Sequence, residues 1–286
     1  MERKLRIVLP KGRIYQKIID LLNEAGYQLR LSGRELRPIS SHEHLQLKIL
    51  KPQNIPSLVA LGSHDAGFAG TDWCIESKSE VENILELGFD PVKIVSAIPQ
   101  NKSISDLQKK KILVVSEYEN ISKKYLDQKK WDYLFMRVSG SCEVFPPDDA
   151  DMIIDNTATG ITLKENGLKI LDEIMLSSSN FIANPEAMKD PWKREKILEM
   201  KTLFNSILMA SKRVMLEMNI PLDKASSIIP QLPCMKSPTI AKLFGDQGYS
   251  AKIVVDKESV TSLISKLIAL GARDILEYNI NKVIVS

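Results

Sequence analysis

The chain has 286 residues, 44% of them hydrophobic and 26% charged, with a net charge of +3. That length is long for one core and favours two or three domains of ordinary globular composition. The small, scattered charge argues against a dedicated nucleic-acid surface but allows a local basic pocket for phosphates. Three cysteines, Cys74, Cys142 and Cys234, stand far apart with no Cys-x-x-Cys pair. Neither a disulfide framework nor a structural zinc site is expected, and a reducing compartment fits best. The opening MERKLRIVLPKGR returns to charge too soon for a signal-peptide core. No run reaches the ~18 apolar residues that span a bilayer. The expectation is a cytoplasmic protein without membrane contact.

The first element reads as a strand, Leu5 to Leu9, cut off by Pro10. Ile14, Ile18, Leu21, Leu22 and Ala25 then recur at helical spacing until Gly26. Leu45 to Leu50 is a second strand, Ile55 to Leu61 a short helix, and DAGFAG (65–70) a small-residue strand ending in glycine. The same rhythm returns in KILVVS (111–116), NISKKYLDQK, YLFMRVSGS and DMIIDN. Strands alternating with helices predict an α/β body with mostly parallel sheets. Two clusters of them predict two lobes, 1–95 and 96–180, around a cleft. FIANP (181–185) reads as the crossing back, and a long helix follows from Pro191, so 181–210 returns to the first lobe.

Residues 211–286 follow a different plan. A strand (213–218), a helix (222–229), PTIAKLF, the turn GDQG and the strand YSAKIVV come first. An amphipathic helix carrying Val260, Leu263, Ile264, Leu267 and Ile268 then stops at Gly271. Strands at 274–278 and 283–285 close an order near β-α-β-β-α-β, the ferredoxin-like plan. Such an appended module suggests regulation by fold-level analogy.

The segment DNTATGIT (155–162) places hydroxyls at the exit of the apolar run Met152-Ile153-Ile154. Thr162 and Glu165 have the spacing of a capping box, and Asn166-Gly167 supplies a stop. That leaves little helix, so the true start is expected nearer Ala158. Thr157, Thr159 and Thr162 then exceed what one cap can use. The other reading is a phosphate cradle, in which unsatisfied N–H groups receive the anion and Gly160 allows close approach. Asp155 at the strand end can accept hydrogen bonds from a ribose diol. On local pattern alone, cap and cradle both stand.

DNTATGIT with LKENGLKILDEI resembles the signature of the ATP phosphoribosyltransferase family. The likeness extends to LRIVLPKGRIYQKIIDLLNEAG, AGFAGTDW, SEYENISKKYL and VSGSCEV, and to LPCMKSPTIAKL and LIALGARDILEYNINKVI of the long, self-regulated form. It implies a two-lobed, periplasmic-binding-protein-like catalytic body with an ACT-like ferredoxin-fold regulatory domain. The implied reaction joins adenine N1 of ATP to C1 of phosphoribosyl pyrophosphate and releases pyrophosphate, with Mg²⁺ as cofactor. By resemblance Asp155, Thr157, Ala158, Thr159, Gly160 and Thr162 bind phosphoribosyl pyrophosphate. Lys11, Gly12, Arg13, Lys51, Gly70, Thr71, Asp72, Ser139, Gly140 and Ser141 line the ATP site, with Lys11 and Arg13 joining Asp155 in catalysis. Histidine as feedback inhibitor falls to Glu217, Ser237, Pro238, Thr239 and Ala272, within a homohexamer built from dimers.

The chain departs from the resemblance at several places. Lys51 stands where the family usually has arginine and so lacks the bidentate fork. Asn156 replaces an apolar residue, and Pro146-Pro147 replaces a smoother run. His42 and His44 share a strand face but lack an evident third metal ligand. No metal site built from protein side chains is expected, and Cys74 and Cys142 read as small core residues. Prephenate dehydratase is a rival whose Thr-Arg-Phe and Glu-Ser-Arg-Pro motifs do not occur here. A non-catalytic cytoplasmic ligand sensor on the same fold is the rival from another class.

Overall fold

Short apolar runs punctuated by glycine and proline give the chain a strand–helix rhythm, and two compact units result, Met1–Lys201 and Thr202–Ser286. The computed structural model describes residues 3–30, 36–235 and 237–285. In chain order the first unit opens with β1 (Leu5–Pro10), α1 (Tyr15–Glu24), the two-residue strands β2 (Leu29–Arg30) and β3 (Ile39–Ser40), and β4 (Leu45–Leu50). Next come α2 (Ile55–Ala60), β5 (Ala66–Gly70), α3 (Thr71–Glu76) and β6 (Glu82–Glu86). A second group holds β7 (Val92–Pro99), α4 (Ile104–Leu107), β8 (Ile112–Ser116), α5 (Glu119–Gln128) and β9 (Tyr133–Arg137). It continues with β10 (Met152–Thr157), α6 (Ile161–Glu165) and β11 (Leu168–Ser177). The chain then returns through β12 (Ser179–Ala183), α7 (Pro185–Lys189) and α8 (Pro191–Ser211).

These strands form two five-stranded sheets, ordered β4-β1-β5-β12-β6 and β11-β7-β10-β8-β9. The expectation of mostly parallel sheets is not met. In the first sheet β1 runs parallel to β4 and β5, while β12 is antiparallel to β5 and β6. In the second, β8 is parallel to β9 and β10, while β7 is antiparallel to β10 and β11. The cause lies in the crossings. β7 and β12 carry the chain between sheets, and each starts where a parallel strand ends: Lys93 opposes Thr157, and Ser179 opposes Gly70. Periodicity within one segment carries no trace of such pairings.

β7 and β10 are buried on both faces. Ile94, Ile98, Met152 and Ile154 pack on one side, and Val95, Ala97 and Ile153 on the other. A strand covered twice reads as a continuous apolar run. In the first sheet Gly67 sits where an added Cβ would lie 2.5 Å from the Val8 side chain, which fixes the small residues of DAGFAG as a packing requirement.

Helix α3 grows out of β5 in the first sheet, yet its side chains belong to the second. Trp73 joins the cluster of Tyr118, Ile121 and Tyr125, and stacks on Tyr118 with ring centroids 4.7 Å apart. The buried Glu76 carboxylate accepts the Asn120 and Ile121 backbone N–H groups at 3.0 Å and so caps α5. At the other end of β5, buried Asp65 accepts from Arg6 Nη2 and Lys193 Nζ, each at 2.8 Å.

The second unit contains β13 (Arg213–Pro221), α9 (Ala225–Ile228), β14 (Thr239–Lys242), β15 (Gly248–Asp256), α10 (Val260–Leu270) and β16 (Arg273–Asn279). Its sheet order, β14-β15-β13-β16, with every pairing antiparallel, is the ferredoxin-like plan. Val214, Leu216, Met218 and Ile220 alternate into a core shared with Ile228, Val260 and Leu267 of the helices. The strand expected at 283–285 does not form. Val283 instead donates its N–H to the Ser206 carbonyl at 2.9 Å, outside any sheet.

Burial alone would raise the Asp65 carboxyl, but the hydrogen bonds from Arg6 and Lys193 outweigh it and hold it below the usual range. A depressed carboxyl stabilises the fold above the unfolded carboxyl pKa of ~3.9, and that contribution is lost as pH falls. Asp65→Asn leaves two cations facing each other and is expected to cost about 1–3 kcal/mol at pH 7 by urea unfolding. The difference from the parent should shrink below about pH 4.

Candidate active site

Five strand ends meet in one cleft of the first unit. β1 delivers Lys11, Gly12 and Arg13, β4 delivers Lys51, and β5 delivers Gly70, Thr71 and Asp72. β8 and β10 deliver Tyr118 and Asp155 from the other sheet. Ligands of α/β sheets collect at such carboxyl ends.

The Lys-Gly-Arg turn needs its glycine, since Gly12 has φ +103°. Lys11 and Arg13 are exposed, and Arg13 Nε lies 3.6 Å from Asp90 Oδ2. Gly70 is required on different grounds: a Cβ there would come within 2.2 Å of Asp72 Oδ1. Thr71 donates its hydroxyl to the Ser178 carbonyl at 3.2 Å and accepts from Asn180 Nδ2 at 2.9 Å. Its side chain therefore braces the turn.

Asp72 is 5% exposed and fully partnered. Ser177 Oγ donates to one carboxylate oxygen at 2.7 Å and Tyr118 Oη to the other at 2.9 Å. Burial first, and Asp72 second, push the Tyr118 hydroxyl far upward, so it stays protonated and remains a donor. Asn156 Nδ2 donates to Tyr118 Oη at 3.1 Å and to Asp155 Oδ1 at 3.2 Å. The acids of the two sheets are thus joined by one hydrogen-bonded chain.

Asp155 also accepts the Asn156 backbone N–H at 2.7 Å. Burial pushes its carboxyl up to about 6, with Glu143 and Glu117 adding repulsion, against the Asn156 N–H and the Cys142 thiol, which favour the charge. Such a group is a common mark of a functional site.

The threonine loop departs from the capping-box reading and from the expected helix start. The helix starts at Ile161, not near Ala158, and runs only to Glu165. Gly160 at φ +76° opens it and Gly167 at φ +70° closes it, because β11 claims the chain from Leu168. No capping box forms at Thr162, which lies inside the helix. Thr157 Oγ1 accepts the Gly160 N–H at 2.9 Å and Thr159 Oγ1 the Ile161 N–H at 3.4 Å, so these hydroxyls shape the loop. One turn of helix has little macrodipole, and any anion here would rest on local N–H and O–H donors. Ala158, Thr159 and Thr162 are exposed to receive one.

Two adjoining pockets share Trp73. One, of about 180 Å³, is lined by Lys11, Arg13, Gly70, Asp72, Tyr118 and Asn156 among others. The other, of about 260 Å³, is lined by Lys51, Gln53, Glu117, Arg137 and Ser139 among others. Gly140 and Ser141 lie in the exposed turn after β9, at φ +73° and +50°, and line neither. The Asp155 side and the threonine loop lie beside the first pocket through Asn156, without lining it. Sequence reasoning missed Trp73, Tyr118, Asp90, Arg137 and Asn156 as site residues. Tyr118 had a usable signal, since it follows a buried strand as Asp72 does.

In the second unit Glu217, Lys252 and Thr239 oppose one another across β13, β15 and β14. Glu217 pairs with Lys252 Nζ at 3.4 Å and accepts from Ser250 Oγ at 3.3 Å. Ser237 and Pro238 lead into β14, whereas Ala272 is buried in the helix-side core, away from that row. His42 packs on the Tyr27 ring at 4.8 Å and His44 meets Trp192 edge-on. No helix among the described residues is long and apolar enough to cross a membrane.

A two-lobed α/β body with basic turns and carboxylates facing one cleft, continued by a ferredoxin-like unit, defines a class of small-ligand-binding α/β proteins that holds both enzymes and sensors. Residues 51–206 match the family model for ATP phosphoribosyltransferase, and residues 210–282 match that for the HisG C-terminal domain. The ATP phosphoribosyltransferase of Desulforudis audaxviator is 35% identical across 98% of this chain and 99% of its own. That of Thermodesulfovibrio yellowstonii is 34% identical across 99% of both. Among solved structures, the ATP phosphoribosyl transferase (HisG:HisZ) complex from Thermotoga maritima aligns with TM-score 0.63 and 26% identity, covering 70% of this chain and 98% of that one. The chain belongs to the ATP phosphoribosyltransferase family, in its long form. It is a pentosyltransferase of the first step of histidine biosynthesis, a catalyst and not the ligand sensor that the fold alone allowed.

The raised Asp155 carboxyl carries a stability cost with a defined sign. Between the unfolded pKa of ~3.9 and about 6 the native state holds the extra proton, so stability falls as pH rises through that window. Asp155→Asn is expected to stabilise the free protein by about 1–2 kcal/mol at pH 8 in urea unfolding, and by nothing measurable at pH 4.

Proposed function

We propose that Asp155 holds the ribose hydroxyls of phosphoribosyl pyrophosphate while Thr157, Ala158, Thr159, Gly160 and Thr162 receive its 5-phosphate. Lys11, Gly12, Arg13 and Lys51 face the ATP phosphates and the departing pyrophosphate, with Lys11 and Arg13 offsetting the charge that develops. Gly70, Thr71, Asp72, Ser139, Gly140 and Ser141 complete the ATP side. The observation that carries this reading is the hydrogen-bonded chain from Asp72 through Tyr118 and Asn156 to Asp155, which sets two acids at one cleft.

In the reaction the adenine N1 lone pair forms a bond to ribose C1 as the C1–O bond to pyrophosphate breaks and its electrons leave with that group. The protein's part is to align the two and to hold an ionised Asp155 beside a ring gaining positive charge. Family membership points to a metal-dependent reaction. Among the described residues no cluster of three or more His, Cys, Asp or Glu could hold an ion. We propose Mg²⁺ as that metal, an ion that would be held by substrate phosphates together with one or two carboxylates. When bound it would neutralise leaving-group charge.

The second unit is proposed to bind histidine as feedback inhibitor through Glu217, Ser237, Pro238, Thr239 and Ala272, in a homohexamer of dimers working in the cytoplasm. The carboxylate and hydroxyls of Glu217 and Thr239 suit an amino acid's charged groups. The Ala272 side chain packs in the core of this unit.

The test is an ultraviolet assay of N1-substituted adenine formed from ATP, phosphoribosyl pyrophosphate and Mg²⁺, with pyrophosphatase added. Asp155→Ala is expected to lower kcat/KM by about 10²–10³-fold and Thr159→Ala by about tenfold, with histidine inhibiting the parent. Unchanged kcat/KM in Asp155→Ala would sink the assignment. Loss of histidine inhibition in Glu217→Ala, with uninhibited activity kept, checks the regulatory half.

A further inference from the structure

Asn156 is an exposed residue immediately after the proposed ribose-binding acid, and simple solvation would satisfy it. The structure gives its carboxamide two defined acceptors instead. Nδ2 lies 3.2 Å from Asp155 Oδ1 and 3.1 Å from Tyr118 Oη. The directions close without conflict. An amide nitrogen has two protons to give, and a phenol can accept one bond while donating another. Tyr118 donates onward to Asp72 Oδ2 at 2.9 Å, and Ser177 Oγ at the end of β11 donates to Asp72 Oδ1 at 2.7 Å. Four elements, β10, β11, α3 and the segment after β8, are thereby registered on one another.

We propose that Asn156 is a positioning residue for phosphoribosyl transfer, its carboxamide tying the Asp155 carboxylate to the Tyr118–Asp72 pair so that the acid facing the sugar is aimed from both sheets. This rests on the reading of Asp155 as the group that holds the ribose hydroxyls. Without the amide, Asp155 keeps the Asn156 backbone N–H and the Cys142 thiol but loses a donor that fixes its rotation. The groups facing it electrostatically are Glu143 and Glu117, both acidic, and the protonated Tyr118 and Cys142. Removing a donor from a carboxylate so surrounded disfavours its charged form. Asn156 thus affects both the aim and the ionisation of the acid. An apolar residue at this position could supply neither effect.

The test compares Asn156→Ala, Asn156→Leu and Tyr118→Phe with the parent, using phosphoribosyl pyrophosphate, ATP and Mg²⁺ from pH 5.5 to 9. For both Asn156 variants the account expects KM for phosphoribosyl pyrophosphate to rise about five- to tenfold, while KM for ATP moves less than about twofold. The acid limb of kcat/KM should shift upward by roughly half a pH unit, with the melting temperature falling by no more than about 4 °C. Combined with Tyr118→Phe, the Asn156→Ala effect should be less than additive, because both break the same chain. A pH profile and KM superimposable on the parent, or equal rises in both KM values, would overturn the proposal. Asp155→Ala separates the two layers. If it is inactive while Asn156→Ala behaves as the parent, the positioning role alone fails; if it remains fully active, the ribose assignment fails and takes the positioning role with it.

Discussion

The cleft depends on one intrusion: helix α3 leaves the first sheet through β5 and plants Trp73, Asp72 and Glu76 in the second. Burying a tryptophan is worth about 2–3 kcal/mol, and its stack on Tyr118 adds roughly another 1. Those apolar terms outweigh the cost of taking the Asp72 and Glu76 carboxylates out of water only because each is fully hydrogen-bonded. Asp72 is held by two hydroxyls, and Glu76 by the free N–H groups that start α5. The same contacts that bind the sheets together therefore set the spacing of the strand ends that face the cleft.

The threonine loop is shaped by its own hydroxyls. Thr157 and Thr159 spend acceptor capacity on the Gly160 and Ile161 N–H groups, yet a hydroxyl keeps its own proton to donate. A phosphate can therefore be met by O–H donors already fixed in place, without the macrodipole of a long helix. Gly160 supplies the left-handed turn that brings β10 to α6 in three residues. Pre-arranged donors of this kind cost little ordering when the ligand arrives.

Much of the fold could be read from the sequence because each parallel strand and its helix carry their own period. Leu45–Leu50 was placed to the residue, and the ferredoxin-like order followed from alternating and helical runs with Gly271 as a stop. What escaped was non-local. β7 shows no alternation because both faces are covered, and β11 is interrupted by irregular pairing between Ile170 and Asp172 and between Glu173 and Met175. The antiparallel halves of both sheets went unseen for that reason. At the site, resemblance named Asp72 and Asp155 but not what joins them. Tyr118 and Asn156 lie 46 and 84 positions from Asp72 in the numbering, and only the folded chain brings the three together. The strand expected at 283–285 failed in the opposite direction: the short apolar run stays outside the sheet, and Val283 gives its N–H to the Ser206 carbonyl.

The central claim, that the sugar phosphate sits on the loop after β10 with its hydroxyls at Asp155, is open to direct view. Crystals of the full chain grown with phosphoribosyl pyrophosphate and Mg²⁺ would locate the ligand. The account predicts the 5-phosphate against residues 157–162, the ribose hydroxyls within hydrogen-bond reach of Asp155, and the pyrophosphate toward Lys11 and Arg13. A 5-phosphate lodged instead beside Lys51 and Arg137, with the ribose away from Asp155, would contradict it.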